Sequence, residues 1–138
     1  MTVVVKTPVS KRPTLYADFK KDLQISPVSQ DLTVNKDEAA VKEAIRNLLL
    51  TDPGERPMQP FVGGGIRALL FENVTPGTLK LIEEKVKNTI KNYEPRAELI
   101  DVLVSSIIDD NTVSVRVTFY IKNTSAPIQL DVILERIR

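Results

Sequence analysis

The chain has 138 residues, of which 42% are hydrophobic and 27% charged, and its formal net charge is +1. This is the composition of one globular domain, and so small a net charge gives no overall field that would attract nucleic acid or an anionic membrane. Because the sequence contains no His and no Cys, it excludes disulfides, thiolate nucleophiles, imidazole bases and Cys/His zinc sites, and we expect neither cofactor nor metal.

Residues 1–34 are predicted to form an extended amino-terminal arm. Prolines interrupt this segment, and its apolar residues show no helical period. Tyr16 and Phe19 are two aromatic residues in an otherwise polar stretch, so we expect them to bury against another surface. Only three consecutive strongly apolar residues precede Lys6, which predicts no cleaved signal peptide.

Two amphipathic helices are predicted in the next part of the chain. Asn35 is expected to cap the first, with Glu38 completing a capping box. Its apolar stripe consists of Val41, Ala44, Ile45, Leu48 and Leu49. Thr75 is expected to cap the second, with Pro76 at its first position. The apolar side chains of this helix recur at Leu79, Ile82, Val86, Ile90 and Tyr93.

The glycine loop, residues 54–65, connects these helices and ends in three consecutive glycines. A phosphate-binding P-loop requires a Lys and a Ser or Thr after its last glycine, and this chain has Ile66 and Arg67 there. The glycines therefore favour a tight turn with close backbone packing over a phosphate site. A short apolar helix is predicted from Ile66 to Phe71.

The Glu94–Arg96 corner, consisting of Glu94, Pro95 and Arg96, is where the helical pattern stops. A proline disfavours helix for the residue before it and has no N–H to donate, so the chain is expected to leave the helix at Glu94. This places one acid and one guanidinium on either side of a rigid turn. Taken alone, the residues favour an intramolecular surface pair over a site that binds a partner.

After the corner the period changes from helical to two. A β-branched apolar stretch from Leu99 to Ile108 is followed by a turn at residues 109–111. The strongest alternation then places Val113, Val115, Val117, Phe119 and Ile121 on one face. A third strand alternates through Ile128, Leu130, Val132 and Leu134. The sequence thus predicts an α+β fold, with helices packed on one face of a small antiparallel β-meander, as a single domain over residues 35–138.

Carboxylates, hydroxyls and lysines are the remaining candidates for catalysis, and the carboxylates are the strongest of these. A glycosidase needs two carboxyl groups about 5–10 Å apart across a cleft. Glu55 and Glu72 flank the glycine loop, with Asp52 as a third candidate, but nothing in their spacing fixes such a geometry. Turn formation and ion pairing account for acidic residues near loops, so we expect no catalytic residue and no enzyme.

Several short motifs nevertheless occur in an order that carries a resemblance. They are Leu15-Tyr16-Ala17-Asp18-Phe19, Gly54-Glu55-Arg56, Pro60-Phe61, Leu70-Phe71-Glu72-Asn73-Val74-Thr75-Pro76 and Tyr93-Glu94-Pro95-Arg96. Together they resemble the "lysozyme-like" baseplate wedge family of contractile-tailed phages, the sheath initiators. This family has relatives in contractile injection and type VI secretion baseplates.

The resemblance implies a structural protein in the tail baseplate of the virion, made in the host cytoplasm. Glu94, Pro95 and Arg96 would dock onto the helical core bundle of the wedge, with Glu55, Arg56, Pro60 and Phe61 as a loop at the interface. The tail sheath protein would add a strand by β-augmentation, for which we expect the edge strand containing Ile128, Leu130, Val132 and Leu134.

Tail tube or hub proteins are further expected partners, and neither nucleic acid nor a membrane is expected. Two alternatives stay open. One is a peptidoglycan-degrading, lysozyme-like glycosidase of the tail. The other is the equivalent subunit of a contractile injection or type VI secretion machine.

Overall fold

A computed structural model of the chain describes residues 13–107 and 112–135. These residues form strands β1 (Ala17–Phe19) and β2 (Val34–Lys36), helices α1 (Glu38–Leu50), α2 (Ile66–Leu70) and α3 (Pro76–Tyr93), and strands β3 (Ala97–Ile107), β4 (Thr112–Ile121) and β5 (Ile128–Glu135). The predicted α+β class is confirmed. The predicted turn at 109–111 lies outside the described residues. No helix in the described part of the chain is long and apolar enough to cross a bilayer.

The three long strands form an antiparallel meander in the order β3-β4-β5. Along β4, buried and more exposed side chains alternate as the sequence predicted, because successive side chains of a strand point to opposite faces. Residues pair across the three strands in register, so that Val104 of β3 lies opposite Val115 of β4, which in turn lies opposite Val132 of β5. A single irregularity falls in β3, between Leu99 and Asp101.

The helices cover one face of this sheet, as predicted. The inward side chains of β4, with Phe119 fully buried, pack in one cluster with Ile45 of α1 and with Ile82 and Val86 of α3. The opposite face of the sheet carries an exposed ion pair, in which Arg116 Nε donates to Asp131 Oδ1 over 2.7 Å. The core therefore lies between the helices and the sheet, and the described residues leave the outer face of the sheet uncovered.

The predicted capping of α1 by Asn35 is wrong. Asn35 lies in β2, opposite Asp18 of β1, and the helix begins at Glu38 after Asp37. Asp37 has a φ of 45° and makes no side-chain cap, because its Oδ1 instead accepts the N–H groups of Leu15 and Tyr16 at 2.7 and 3.1 Å. The predicted cap of α3 is confirmed, since the Thr75 hydroxyl accepts the N–H of Thr78.

The amino-terminal ribbon, residues 13–36, contains the antiparallel pair β1–β2. Tyr16 packs against the core, whereas Phe19 is 65% exposed and does not meet the expectation that it would be buried. Strand β2 crosses the predicted boundary between residues 34 and 35, and that division into arm and domain stays a prediction.

Gly63 occupies a position that should not tolerate a side chain. Its φ is +142°, and a Cβ there would lie 2.5 Å from the Thr51 carbonyl oxygen. We expect Gly63→Ala to lower the free energy of unfolding by about 2–4 kcal/mol in chemical denaturation. Gly77→Ala is the matched control, because a Cβ at that position would make only ordinary van der Waals contact. We expect this substitution to raise the free energy of unfolding by about 0.5 kcal/mol. Equal effects of the two substitutions would contradict the close approach at Gly63.

Candidate functional site

The Glu94–Arg96 corner joins α3 to β3, as the sequence predicted. The Glu94 N–H still donates to the Ile90 carbonyl at 2.9 Å, and the Ala97 N–H donates to the Glu94 carbonyl at 3.2 Å. Pro95 lies between these bonds, where the chain needs no further N–H donor. The turn is therefore closed by backbone bonds on both sides of the proline.

The two charges of the corner form an intramolecular pair. Arg96 donates from Nε to Glu94 Oε1 at 2.8 Å and from Nη2 to Oε2 at 3.1 Å, which is the bidentate geometry that an arginine makes best with a carboxylate. Glu94 is only 5% exposed, so the pair is not the solvated surface pair that the residues alone favoured. A buried carboxylate requires this partner, because it would otherwise be an uncompensated buried charge.

Two residues of the ribbon complete this cluster. Arg96 Nη1 donates to Asp18 Oδ2 over 2.8 Å, and the Arg96 Cζ lies 5.5 Å from the centre of the Tyr16 ring, within the range of a cation–π contact. Hydrogen bonding to Glu94 raises the pKa of the Arg96 guanidinium above its ordinary value against the opposing effect of burial, and Asp18 adds to the rise. The cation is thus present throughout the pH range in which proteins fold.

A groove of about 730 Å³ opens beside Glu94, between the glycine loop and the two long helices. The Tyr93 hydroxyl donates to the Phe61 carbonyl oxygen at 2.8 Å and ties the loop to the end of α3. Phe61 and Met58 present their side chains to solvent, at 83% and 94% exposure. The lining includes Arg56, Pro60, Phe61 and Glu94.

The structure therefore brings three of the four predicted loop residues to the same groove as the corner. Glu55 is the exception, since it is absent from the lining and its Oε2 accepts the Asp52 N–H at 3.1 Å. On the other side of the corner, Pro95 borders a second groove of about 720 Å³ that contains Lys87, Lys91 and Lys122.

Strand β5 is an edge of the three-stranded sheet. The four residues predicted to mark the accepting strand, Ile128, Leu130, Val132 and Leu134, point into the core, so an added strand would meet β5 through its backbone. Ile133, on the outer face, is 63% exposed. It borders an apolar pocket of about 260 Å³ together with residues from the ends of α1 and α2, including Leu50, Leu70 and Phe71.

The candidate catalytic carboxylates have ordinary structural partners or surroundings. Asp52 pairs with Arg67 at 3.4 Å, Glu55 bonds the backbone of Asp52, and Glu72 lies exposed after α2. No group of three or more acidic side chains among the described residues is arranged to hold a metal ion. These contacts support the structural interpretation of the acidic residues near the loop.

Comparison with known proteins places this geometry in a family context. A family model described as "Baseplate wedge protein gp25" matches residues 35–126. Baseplate wedge protein gp25 of Enterobacteria phage T4 is 30% identical over 105 residues, which cover 76% of this chain and 79% of that protein.

Two solved structures share the fold. A protein described as a candidate tail lysozyme from Geobacter sulfurreducens is 29% identical, with a TM-score of 0.71 over 78% of this chain and 97% of that one. A chain in the cryo-EM baseplate of the anti-feeding prophage is 24% identical, with a TM-score of 0.62 over 89% of this chain and 87% of that one.

Proposed function

Since the chain belongs to the family of baseplate wedge protein gp25, we propose that it is a structural subunit of a contractile-tail baseplate. In this role it docks onto the core bundle of the wedge through Glu94, Pro95 and Arg96, and it initiates polymerisation of the tail sheath. The observation that carries the proposal is the bidentate Glu94–Arg96 pair at a backbone-closed turn.

A pre-ordered corner lowers the entropy cost of docking. Glu94 and Asp18 accept three of the five side-chain N–H groups of Arg96. One N–H on Nη1 and one on Nη2 have no acceptor among the described residues. These two N–H groups can be donated to a carboxylate or to main-chain carbonyls at the end of a partner helix. The guanidinium can thus keep its intramolecular pair while it binds the bundle.

The groove beside Glu94 supplies the apolar part of the docking surface. Phe61 and Met58 are large side chains held almost fully in solvent, and aromatic and Met residues of this kind are enriched in protein interfaces. Because Tyr93 fixes the loop to the end of α3, Phe61 keeps its position relative to the corner. Arg56 and Pro60 complete this surface, whereas Glu55 acts by holding the loop.

The sheath contact is proposed along β5. The other edge strand, β3, contains the irregularity between Leu99 and Asp101, and such irregularities blunt an edge against further pairing. β5 pairs in regular register from Ile128 to Glu135. No other described strand pairs with the free side of β5, and a regular edge of this kind is the geometry that β-augmentation requires.

The same role predicts that the protein does not degrade peptidoglycan. We expect purified protein to give no clearing of cell-wall substrate above buffer. We also expect Glu55→Gln and Glu72→Gln to leave the clearing rate unchanged, because Glu55 bonds the backbone of Asp52 and Glu72 lies exposed after α2. A turbidity assay with hen egg-white lysozyme as positive control measures this. Clearing by the wild type that either substitution removes would establish the glycosidase alternative.

The position in the particle can be tested directly. Electron microscopy of purified tails should place this chain between the baseplate and the first ring of sheath, in contact with the core bundle and the sheath protein. A location in the tube, or absence from the particle, would contradict the proposal. Neighbouring genes for a capsid and for DNA packaging would distinguish a phage from an injection or secretion machine of the same build.

A further inference from the structure

We infer that the amino-terminal ribbon supplies two positioning residues to the docking surface, Asp18 and Tyr16. Their role is to hold the Arg96 guanidinium in the orientation that a partner meets. This inference rests on the proposed docking function of the Glu94–Arg96 corner and extends it to a segment far away in the sequence.

The contacts on Arg96 divide its guanidinium between two segments of the chain. Glu94 fixes the Nε and Nη2 side, and Asp18 fixes Nη1. The Tyr16 ring lies over the guanidinium carbon. With Glu94 alone, the Nη1 side of the group would have no protein partner among the described residues, so Asp18 and Tyr16 determine where the remaining donors point.

The ribbon is itself fixed firmly enough for this task. Asp37 Oδ1 accepts the N–H groups of Leu15 and Tyr16, and the Asp37 N–H donates to the Tyr16 carbonyl at 2.8 Å. Across the strand pair, Asp18 lies opposite Asn35. Tyr16 and Asp18 therefore belong to a segment whose position is fixed by its bonds to Asp37 and by its pairing with β2.

A contribution to folding does not account for the Asp18 contact. The Asp18 side chain is 44% exposed and that of Arg96 is 26% exposed, so solvent screens this partly buried pair and we expect its contribution to folding stability to be small. Holding a long side chain in one orientation before it binds, by contrast, removes an ordering cost from association. The contact is thus expected to matter for docking more than for the fold.

The test compares Asp18→Asn, which keeps the shape and removes the charge, with Asp18→Glu, which restores the charge. Each variant is expressed as the sole copy, and its incorporation into purified tail particles is quantified by mass spectrometry. The melting temperature and the 15N NMR signals of the Arg96 side chain are measured on the isolated protein. Glu43→Gln is the matched control, because it breaks a helix-surface pair with Arg46 of the same chemistry.

We expect Asp18→Asn to lower incorporation about fivefold to tenfold, with an unchanged melting temperature and faster averaging of the Arg96 side-chain signals. Asp18→Glu should recover most of the loss, and Glu43→Gln should have no effect. If Asp18→Asn is incorporated like the wild type while Arg96→Lys is not, the ribbon has no positioning role and the docking proposal stands. If both are incorporated normally, the corner does not dock and the proposed function fails with the inference.

Discussion

Arg96→Ala is expected to eliminate the protein from assembled baseplates. The substitution removes the two donors that we assign to the partner. It also leaves Glu94, which is 5% exposed, as a buried and unpaired carboxylate. We therefore expect a loss of about 3 kcal/mol in the free energy of unfolding together with the loss of docking, measured by denaturation and by particle composition.

Arg96→Lys separates these two effects. A lysine keeps a positive charge beside Glu94 but has no planar fork with which to bond Glu94, Asp18 and a partner together. The folded protein should persist, and incorporation should still fall by at least about tenfold, the equivalent of about 1.4 kcal/mol. Normal incorporation of the lysine variant would mean that the guanidinium geometry is not what the wedge recognises.

Ile133→Lys is expected to give baseplates that contain the protein but carry little or no sheath. Ile133 is 63% exposed on the outer face of β5, so the change should leave stability within about 0.5 kcal/mol. A lysine on an edge strand disfavours the addition of another strand. Electron microscopy of the particles, scored for the fraction with sheath and for sheath length, measures the effect.

Leu103→Lys is the matched control for this experiment. Leu103 lies on the opposite edge strand, β3, and is 58% exposed. The substitution introduces the same charge on that strand, opposite Arg116 of β4. We expect normal sheaths with this variant. Sheath loss in Leu103→Lys together with normal sheaths in Ile133→Lys would assign the accepting edge to β3 instead.

The elements with a strong local period could be predicted from the sequence. The alternation in β4 gave the correct inward face, and Thr75 with Pro76 gave the correct start of α3. The motif order also identified the family. The start of α1 was predicted wrongly, because Asn35 lies in β2 and does not cap the helix. Asp37, the residue that directly precedes the helix, does not cap it either, because its carboxylate bonds the distant backbone of Leu15 and Tyr16.

Only the residues of the candidate site that are close together in the sequence could be predicted. Glu94 and Arg96 are neighbours around a proline, and their pairing follows from the local chain. Asp18 is separated from Arg96 by 78 positions, and no local pattern predicts such a contact. Two signals pointed to this segment without naming the contact. The aromatic residue Tyr16 in a polar stretch indicated that this part of the arm packs against another surface, and the motif from Leu15 to Phe19 was among those that carried the family resemblance.

Asp37 has a consequence for how the molecule opens. Because its carboxylate holds Leu15 and Tyr16, it provides no side-chain cap for α1, and the first turn of that helix relies on the Asp37 carbonyl, which accepts the Val41 N–H. Release of the ribbon would free Asp37 from its positive-φ conformation and loosen that turn at the same time. Local unfolding should thus be cooperative across residues 15–41, so that a fluctuation starting in the ribbon extends into the first helix.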